Sequence, residues 1–358
     1  MNSNRSPRLF RSTRSPLLLG MIFCLAVVAA GPRAAQADVY RVMVPVADRS
    51  VAGREAGFAA AMKTALVRVT GRRTAGDDPA FAALVAGADR FVQQYRYAAD
   101  GRLSVGFDGA AIERWLTQNG APVWGRTRPV TFVWLTVPAA AGGIVVTRES
   151  VSDLKAQIDA AAEARGIELS WPGAQDLQAE KLDYAALIHA NPEALAEIAR
   201  RHGAEGELIG TATDQSAGAN VQWLFKFQTH TGQAAGAAEG VNLAADTYAS
   251  LYAVSGAMTP VDVDVGGIRD LRDYAKVQRL FGSLTMVSRV GVAALHGDQV
   301  EFTLDVRGGA APLVRTLALN GMLAADSDVG LGADSGTGTV ASGPPPGAAP
   351  ELHFHLRR

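Results

Sequence analysis

Val130-Thr-Phe-Val-Trp-Leu-Thr-Val137 is a near-continuous apolar run, the pattern of a β-strand buried on both faces. A strand of that kind needs both faces covered, so it predicts a sheet with packing on either side. The downstream residues supply the covering elements. Ser150 reads as the cap of a helix with Val151, Leu154, Ile158 and Ala161 inward and Gly166 after it. Ile167–Ser170 is a short strand, Pro192 starts a helix through Leu195, Ile198 and Ala199, and Gly203 closes it. Glu207–Gly210 is the next strand. Val221, Trp223, Phe225 and Phe227 alternate with Gln222, Lys226 and Gln228, a half-buried antiparallel strand. Thr231-Gly232 reads as a turn into another strand, and Asn242 as the cap of a helix through Leu251. Strands alternate with helices first and then become antiparallel, so this unit, residues 127–257, is expected to carry a mixed sheet.

Residues 38–126 read as an α+β unit. Val39–Val46 alternates as a strand. Ser50 caps a helix whose Ala59, Met62, Leu66 and Val69 share a face, and Gly71 ends it. Asp78-Pro79 opens a second helix, with Phe81, Leu84, Val85, Ala88 and Val92 as its buried stripe. Tyr95 and Tyr97, an Asp100-Gly101 turn, then Leu103, Val105 and Phe107 make a β-hairpin. A helix from Asp108 carries Ile112, Trp115 and Leu116 and stops at Asn119-Gly120.

Residues 258–323 form a third unit. Val261, Val263 and Val265 alternate with Asp262 and Asp264, and a helix carries Ile268, Leu271, Ala275 and Leu280. Two strands joined at His296-Gly297-Asp298 come next, then a helix with Leu313, Leu317 and Leu319. That is βαββα, a ferredoxin-like pattern with one strand missing. Residues 324–350 are almost wholly Gly, Ala, Ser, Asp and Pro, so 324–358 is expected to be a disordered tail. Within it, Leu352–Leu356 alternates and could dock on a sheet edge. The fold class expected overall is α+β, built from several small mixed-sheet domains.

The chain opens with an address. Arg5, Arg8, Arg11 and Arg14 form a positive region without acids, an apolar run spans 17–30, and Ala35-Gln36-Ala37 is a small-x-small cleavage site. Residues 1–37 read as a secretory signal peptide cut after Ala37, which predicts a periplasmic protein. The run is short for a membrane span, which needs ~20 residues, and no later stretch is apolar enough to serve as a transmembrane helix. Cleavage removes five Arg and no acid, taking the formal charge from −1 to −6. An acidic mature chain argues against nucleic acid as a partner. The one cysteine, Cys24, lies inside the signal peptide. Met21-Ile-Phe before it and Leu25 after it lack the small residues of a lipidation site. The mature chain therefore has no disulfide, no thiol nucleophile and no cysteine-bound metal.

Two stretches carry resemblances. Val44-Pro-Val-Ala-Asp48 through Ala61-Met-Lys-Thr-Ala-Leu-Val-Arg-Val-Thr-Gly71, with Trp124-Gly125, the strand Val130–Val137 and Ile268-Arg-Asp-Leu-Arg-Asp-Tyr274, resembles the proteobacterial secreted family catalogued as domain of unknown function 2066. That resemblance implies no activity. Ile198-Ala-Arg-Arg-His-Gly-Ala-Glu-Gly-Glu-Leu-Ile-Gly210 through Tyr252 is similar to envelope adaptor domains of the TolB N-terminal and penicillin-binding-protein-activator type. It implies a TolB-N-like α/β middle domain, whose relatives bind protein partners and catalyse nothing.

Candidate chemistry is sparse. His353-x-His355 would set two imidazoles on one strand face, a possible zinc pair without a nearby third ligand. Asp262-Val-Asp264 sets two carboxylates on one strand face, suited to acid/base work or a metal, but equally to a solvated surface. His202 reads as a cation at a helix C-terminus and His296 as a turn residue. Asp77-Asp78 with Arg72-Arg73 reads as a loop and a helix cap. The pairs Gly142-Gly143, Gly266-Gly267 and Gly308-Gly309 lack phosphate-cradle spacing, and no hydrolase motif is present. Trp115, Trp124, Trp134, Trp171 and Trp223 could line a sugar groove. Core packing is the simpler reading for them, with Trp171 the least committed to a core. No catalytic, cofactor-binding or metal residue is assigned, and no cofactor is expected. The expected function is that of a non-enzymatic periplasmic adaptor or accessory protein with envelope protein partners. Its surface would be a sheet edge or a concave face between the second and third units. The alternatives are an envelope enzyme acting on cell-wall glycan, with Asp262 and Asp264 as acids, and a periplasmic protein that binds a small ligand or metal.

Overall fold

The structure, a computed structural model, describes residues 38–139, 142–326 and 351–357. Among them it is a mixed α+β protein with ten α-helices and four small sheets. The signal-peptide reading falls on residues 1–37, outside the described ones.

The first group of elements starts with β1 (Arg41–Val44) and α1 (Val51–Thr70). Ser50 caps α1 by accepting the Gly53 N–H at 3.0 Å. Gly71 ends it at φ 74°, with its N–H on the Val67 carbonyl. A Cβ at 71 would lie 2.3 Å from that of Ala249, so this glycine also permits a close approach to a later helix. The expected helix over 79–92 is corrected. It is split into a 3₁₀ turn (Pro79–Phe81), α2 (Ala82–Ala86), a further 3₁₀ turn (Ala88–Phe91) and β2 (Val92–Tyr97). Gly87 takes the cap of α2, and pairing of Val92 with Phe107 draws the end of the stripe into a sheet. Phe81, Leu84 and Ala88 are nevertheless buried. β3 (Leu103–Phe107) completes the hairpin, and the antiparallel order is β1-β3-β2. α3 (Gly109–Gln118), capped by Asp108, and the short β4 (Val123–Trp124) come after it. Met62, Leu66 and Val69 of α1 pack on Leu103, Val105, Ile112 and Leu116 as one core.

All eight residues of β5 (Val130–Val137) are buried, as their apolar run predicts. Val133, Leu135 and Val137 face one core, Phe132 and Trp134 another. After β6 (Ile144–Val145) comes α4 (Asp153–Arg165), capped by Ser152 instead of Ser150. The Ser150 hydroxyl is engaged by the Thr147 N–H, Val151 is 97% exposed, and the buried face is Leu154, Ile158 and Ala162. Next in the chain are β7 (Glu168–Ser170), α5 (Ala174–Glu180), α6 (Tyr184–Ile188) and α7 (Pro192–Arg201). β8 (Gly206–Ala212), β9 (Val221–Phe227), β10 (His230–Ala235) and α8 (Glu239–Tyr252) complete this part. Two expectations are corrected here. The hairpin turns at Gln228, left-handed at φ 52°, so Thr231 and Gly232 lie inside β10. Asn242 lies within α8, which starts earlier, after Ala238. The sheet runs β10-β9-β8-β5-β6, with β7 also on β5. β5 is parallel to β7 and β8, and the rest is antiparallel. It is the expected mixed sheet. β11 (Ala253–Val254) pairs back onto β4.

Three arginines lock the first group to the second. Arg128 donates to the carbonyls of Arg68 (2.7 Å) and Gly166 (2.9 Å), at the C-terminal ends of α1 and α4. A cation there meets the negative poles of both helices. Arg68 donates to the Arg41 carbonyl and pairs with Glu163 of α4 at 3.5 Å, and Arg165 donates to Gly71 O, Asn242 and Asp246.

The last group is β12 (Met258–Gly266), α9 (Leu271–Ser283), β13 (Val287–His296), β14 (Gln299–Arg307), α10 (Ala310–Asn320), β15 (Leu323–Ala325) and β16 (Glu351–Leu356). Asp270 caps α9, and Leu271, expected inside, is 80% exposed. Val277, Leu280 and Phe281 form the buried face instead. The five strands run β13-β14-β12-β16-β15. β16 is parallel to β12 and antiparallel to β15. The tail reading is corrected at both ends: Leu323–Ala325 and Glu351–Leu356 are strands, because Leu352, Phe354 and Leu356 have a core to enter. β16 does not sit on an edge; it is wedged between two strands. Residues 327–350, the middle of the expected tail, lie outside the described residues.

Candidate functional site

β16 brings together two residue pairs that the sequence keeps far apart. Asp264 lies opposite His353, and His353 Nδ1 is 3.2 Å from Asp264 Oδ2, with the side chains 48% and 28% exposed. Glu301 and Thr303 of β14 lie opposite Asp264 and Asp262 on the other side. His355 rests against Gly266-Gly267, where a Cβ at 266 would stand 2.8 Å from its Nδ1. This is an open, polar sheet face. The carboxylate can orient an imidazole, but among the described residues no group of three or more His, Cys, Asp or Glu could hold a metal ion.

The other candidates have structural surroundings. His202 caps α7, with its ring 5.4 Å from that of Phe132. His296 ends β13 at the hairpin turn and His189 ends α6. Asp77 pairs with Lys63, and Asp78 with Arg72. Trp124, Trp134, Trp171 and Trp223 are buried. Trp171, expected to be the least committed, joins the core of Leu135, Leu154 and Ile158 and donates its indole N–H to Asp159 at 2.9 Å.

The chemically most perturbed place is one that sequence reasoning missed. Between α7, the start of β8, the end of β9 and α10 lies a cleft of about 470 Å³. Glu193, Arg200, Glu205, Glu207, Lys226 and Gln228 give it polar walls, and Phe227 and Leu319 apolar ones. The cleft thus draws on both the second and the third groups of elements. Glu207 is 3% exposed. Its neighbours in register are Phe132 on β5 and Lys226 on β9. Oε1 accepts the Trp134 indole N–H at 2.8 Å, while Oε2 is buried without a hydrogen-bond partner. Burial pushes this carboxyl up to about 7; the Trp134 bond and Lys226 oppose the shift, and Glu193 adds to it. Glu205, exposed near the mouth, accepts the Val130 N–H at 2.8 Å. The rim cations are engaged: Lys226 Nζ is 2.7 Å from Glu193, and Arg200 pairs with Glu197. The available signal was an acid inside the short strand Gly206–Ala212, whose faces are both covered once α7 packs on the sheet.

A second groove, about 570 Å³, runs between α1 and the 77–89 segment, over Phe58 and Val85. It lies within the stretch covered by a family profile. That profile, described as a domain of unknown function (DUF8605), matches residues 34–125, about a quarter of the chain. No curated protein matches the chain. No helix among the described residues is long and apolar enough to cross a membrane.

Proposed function

We propose that this protein is a non-enzymatic exported accessory protein of the bacterial envelope, which works by holding a protein partner along an open sheet edge. The observation that supports this reading most is β13. It is ten residues long, lies at the end of its sheet, and exposes Val292 (42%) and Leu295 (67%). A strand at a sheet edge offers unpaired N–H and C=O groups to an added strand, and flanking side chains supply selectivity. Two bulges, near Arg289 and Ala294, bend it and restrict which strand can match its curve.

The finer fold reading is part of the same proposal. β12-α9-β13-β14-α10-β15 keeps the ferredoxin-like order, with β16 inserted between its first and last strands. Fold likeness of this kind, and that of the middle sheet to TolB-N-type adaptor domains, supports partner binding by analogy alone. The likeness to domain of unknown function 2066 adds the expectation of secretion.

The test is capture of partners from an envelope extract by the immobilised protein. Wild type should retain a specific envelope protein. Val292→Lys with Leu295→Lys, two exposed changes that blunt the edge, should lose it. Asp262→Asn with Asp264→Asn should retain it. Equal capture by wild type and the double-lysine variant would remove the edge from the reading. Loss in the asparagine pair alone would favour a site on the polar face.

A further inference from the structure

We propose that the cleft between the second and third groups of elements binds an organic cation, an ammonium or guanidinium head on an aliphatic stem, with Glu205 and Glu207 taking the head. The site is distinct from the β13 edge and does not depend on it.

The acceptors in the cleft outnumber its free donors. Lys226 and Arg200 are committed to Glu193 and Glu197, whereas neither Glu205 nor Glu207 has a cation within salt-bridge distance among the described residues. Glu207 is the decisive group. It forms part of the cleft wall, is 3% exposed, and leaves Oε2 unbonded. A buried oxygen without a partner is costly in a folded protein, and such groups call for an explanation. A ligand N–H directed at Oε2 supplies one.

The charge pattern selects the ligand class. An anion would have to break the ion pairs of Lys226 or Arg200 to find a counter-charge. A metal ion would need a ligand group that the described residues do not form. An ammonium or guanidinium head needs only the two glutamates, and its N–H groups suit carboxylate oxygens. Phe227 and Leu319 give the stem an apolar surface. The volume, about 470 Å³, falls in the range of roughly 300–1,000 Å³ common for ligand sites.

Binding is proton-linked. The cation prefers ionised Glu207, which burial keeps protonated up to about 7, so binding releases a proton. Affinity should therefore be about tenfold weaker at about pH 6 than at about pH 8.

The head can come from a small amine or from a lysine or arginine side chain of a protein. Calorimetric titration of the purified protein separates these with 1,5-diaminopentane, argininamide and a blocked lysine-containing tetrapeptide, and pentanoate as the anionic counterpart. The expected result is saturable binding of at least one cation and none of pentanoate. Tightest binding of the peptide assigns a protein side chain, and tightest binding of the diamine a free amine. Glu207→Gln should weaken binding at least about tenfold and reduce the pH dependence to what the Glu205 carboxyl, also raised by burial, contributes. Glu205→Gln, which keeps an oxygen to accept the Val130 N–H and whose melting temperature is measured alongside, should weaken it as well. Glu301→Gln, on the distant sheet face, should leave it unchanged. The proposal is overturned by no binding of any of the three cations up to about 10 mM, by pentanoate binding as well as the amines, or by unaltered affinity in the folded Glu205 and Glu207 variants.

Discussion

The guanidinium carbon of Arg128 lies 3.9 Å from the centroid of the Trp124 ring. That contact sets the planar fork where it can reach the last carbonyls of α1 and α4 together. Lysine has neither the fork nor the stacking plane. Arg128→Lys should therefore strand buried carbonyls and destabilise the fold by about 2–3 kcal/mol. Urea denaturation checks this, and an unchanged midpoint would mean that water replaces the fork without cost.

Glu207 makes stability depend on pH. Its folded-state carboxyl is raised to about 7, against ~4.3 for glutamate in an unfolded chain. The folded protein keeps a proton that the unfolded chain releases, so this contribution is fully present below about pH 4 and is lost as pH rises through about 7. Relative to Glu207→Gln, wild type should lose roughly 4 kcal/mol across that window. Denaturation curves of the two proteins at several pH values should diverge between about pH 4 and about pH 7 and keep a constant separation above that. Parallel curves would mean that the carboxyl is ionised throughout.

Phe354 is 2% exposed in the core under the five-stranded sheet. Phe354→Ala should cost about 3–5 kcal/mol and speed amide exchange in β12 and β15 together. Leu84, 1% exposed, should cost about 2–5 kcal/mol as alanine, even though its helix is only five residues long. Val151→Ala, at a 97% exposed position, should change the melting temperature little. Equal effects from Leu84→Ala and Val151→Ala would contradict the packing described for both.

Legibility in the sequence tracks the distance over which a choice is made. Ser50, Gly71, Asp100-Gly101 and Asp108 act on neighbours a few positions away, and each does what its chemistry predicts. Ser150 and Ser152 are equally good caps by type; a loop contact to Thr147 decides between them. Val92 fits a helical stripe until Phe107 claims it for a sheet. The polar face was legible as two separate pairs, Asp262 with Asp264 and His353 with His355. Their union depends on a strand pairing that no local pattern encodes. Glu207 was hidden for the same reason: an acid in a short strand becomes anomalous only once α7 and Trp134 enclose it.

The wedged position of β16 has a consequence for the order of assembly. Asp262 pairs with Glu351, about 90 positions later in the chain, so this closure spans a long loop and belongs among the slow, non-local steps of folding. Among the described residues β15 has no partner strand other than β16. The five-stranded sheet therefore closes only once its C-terminal strand arrives, and a chain cut between Ala325 and Glu351 would leave an open seam between β12 and β15 in place of a merely shorter tail.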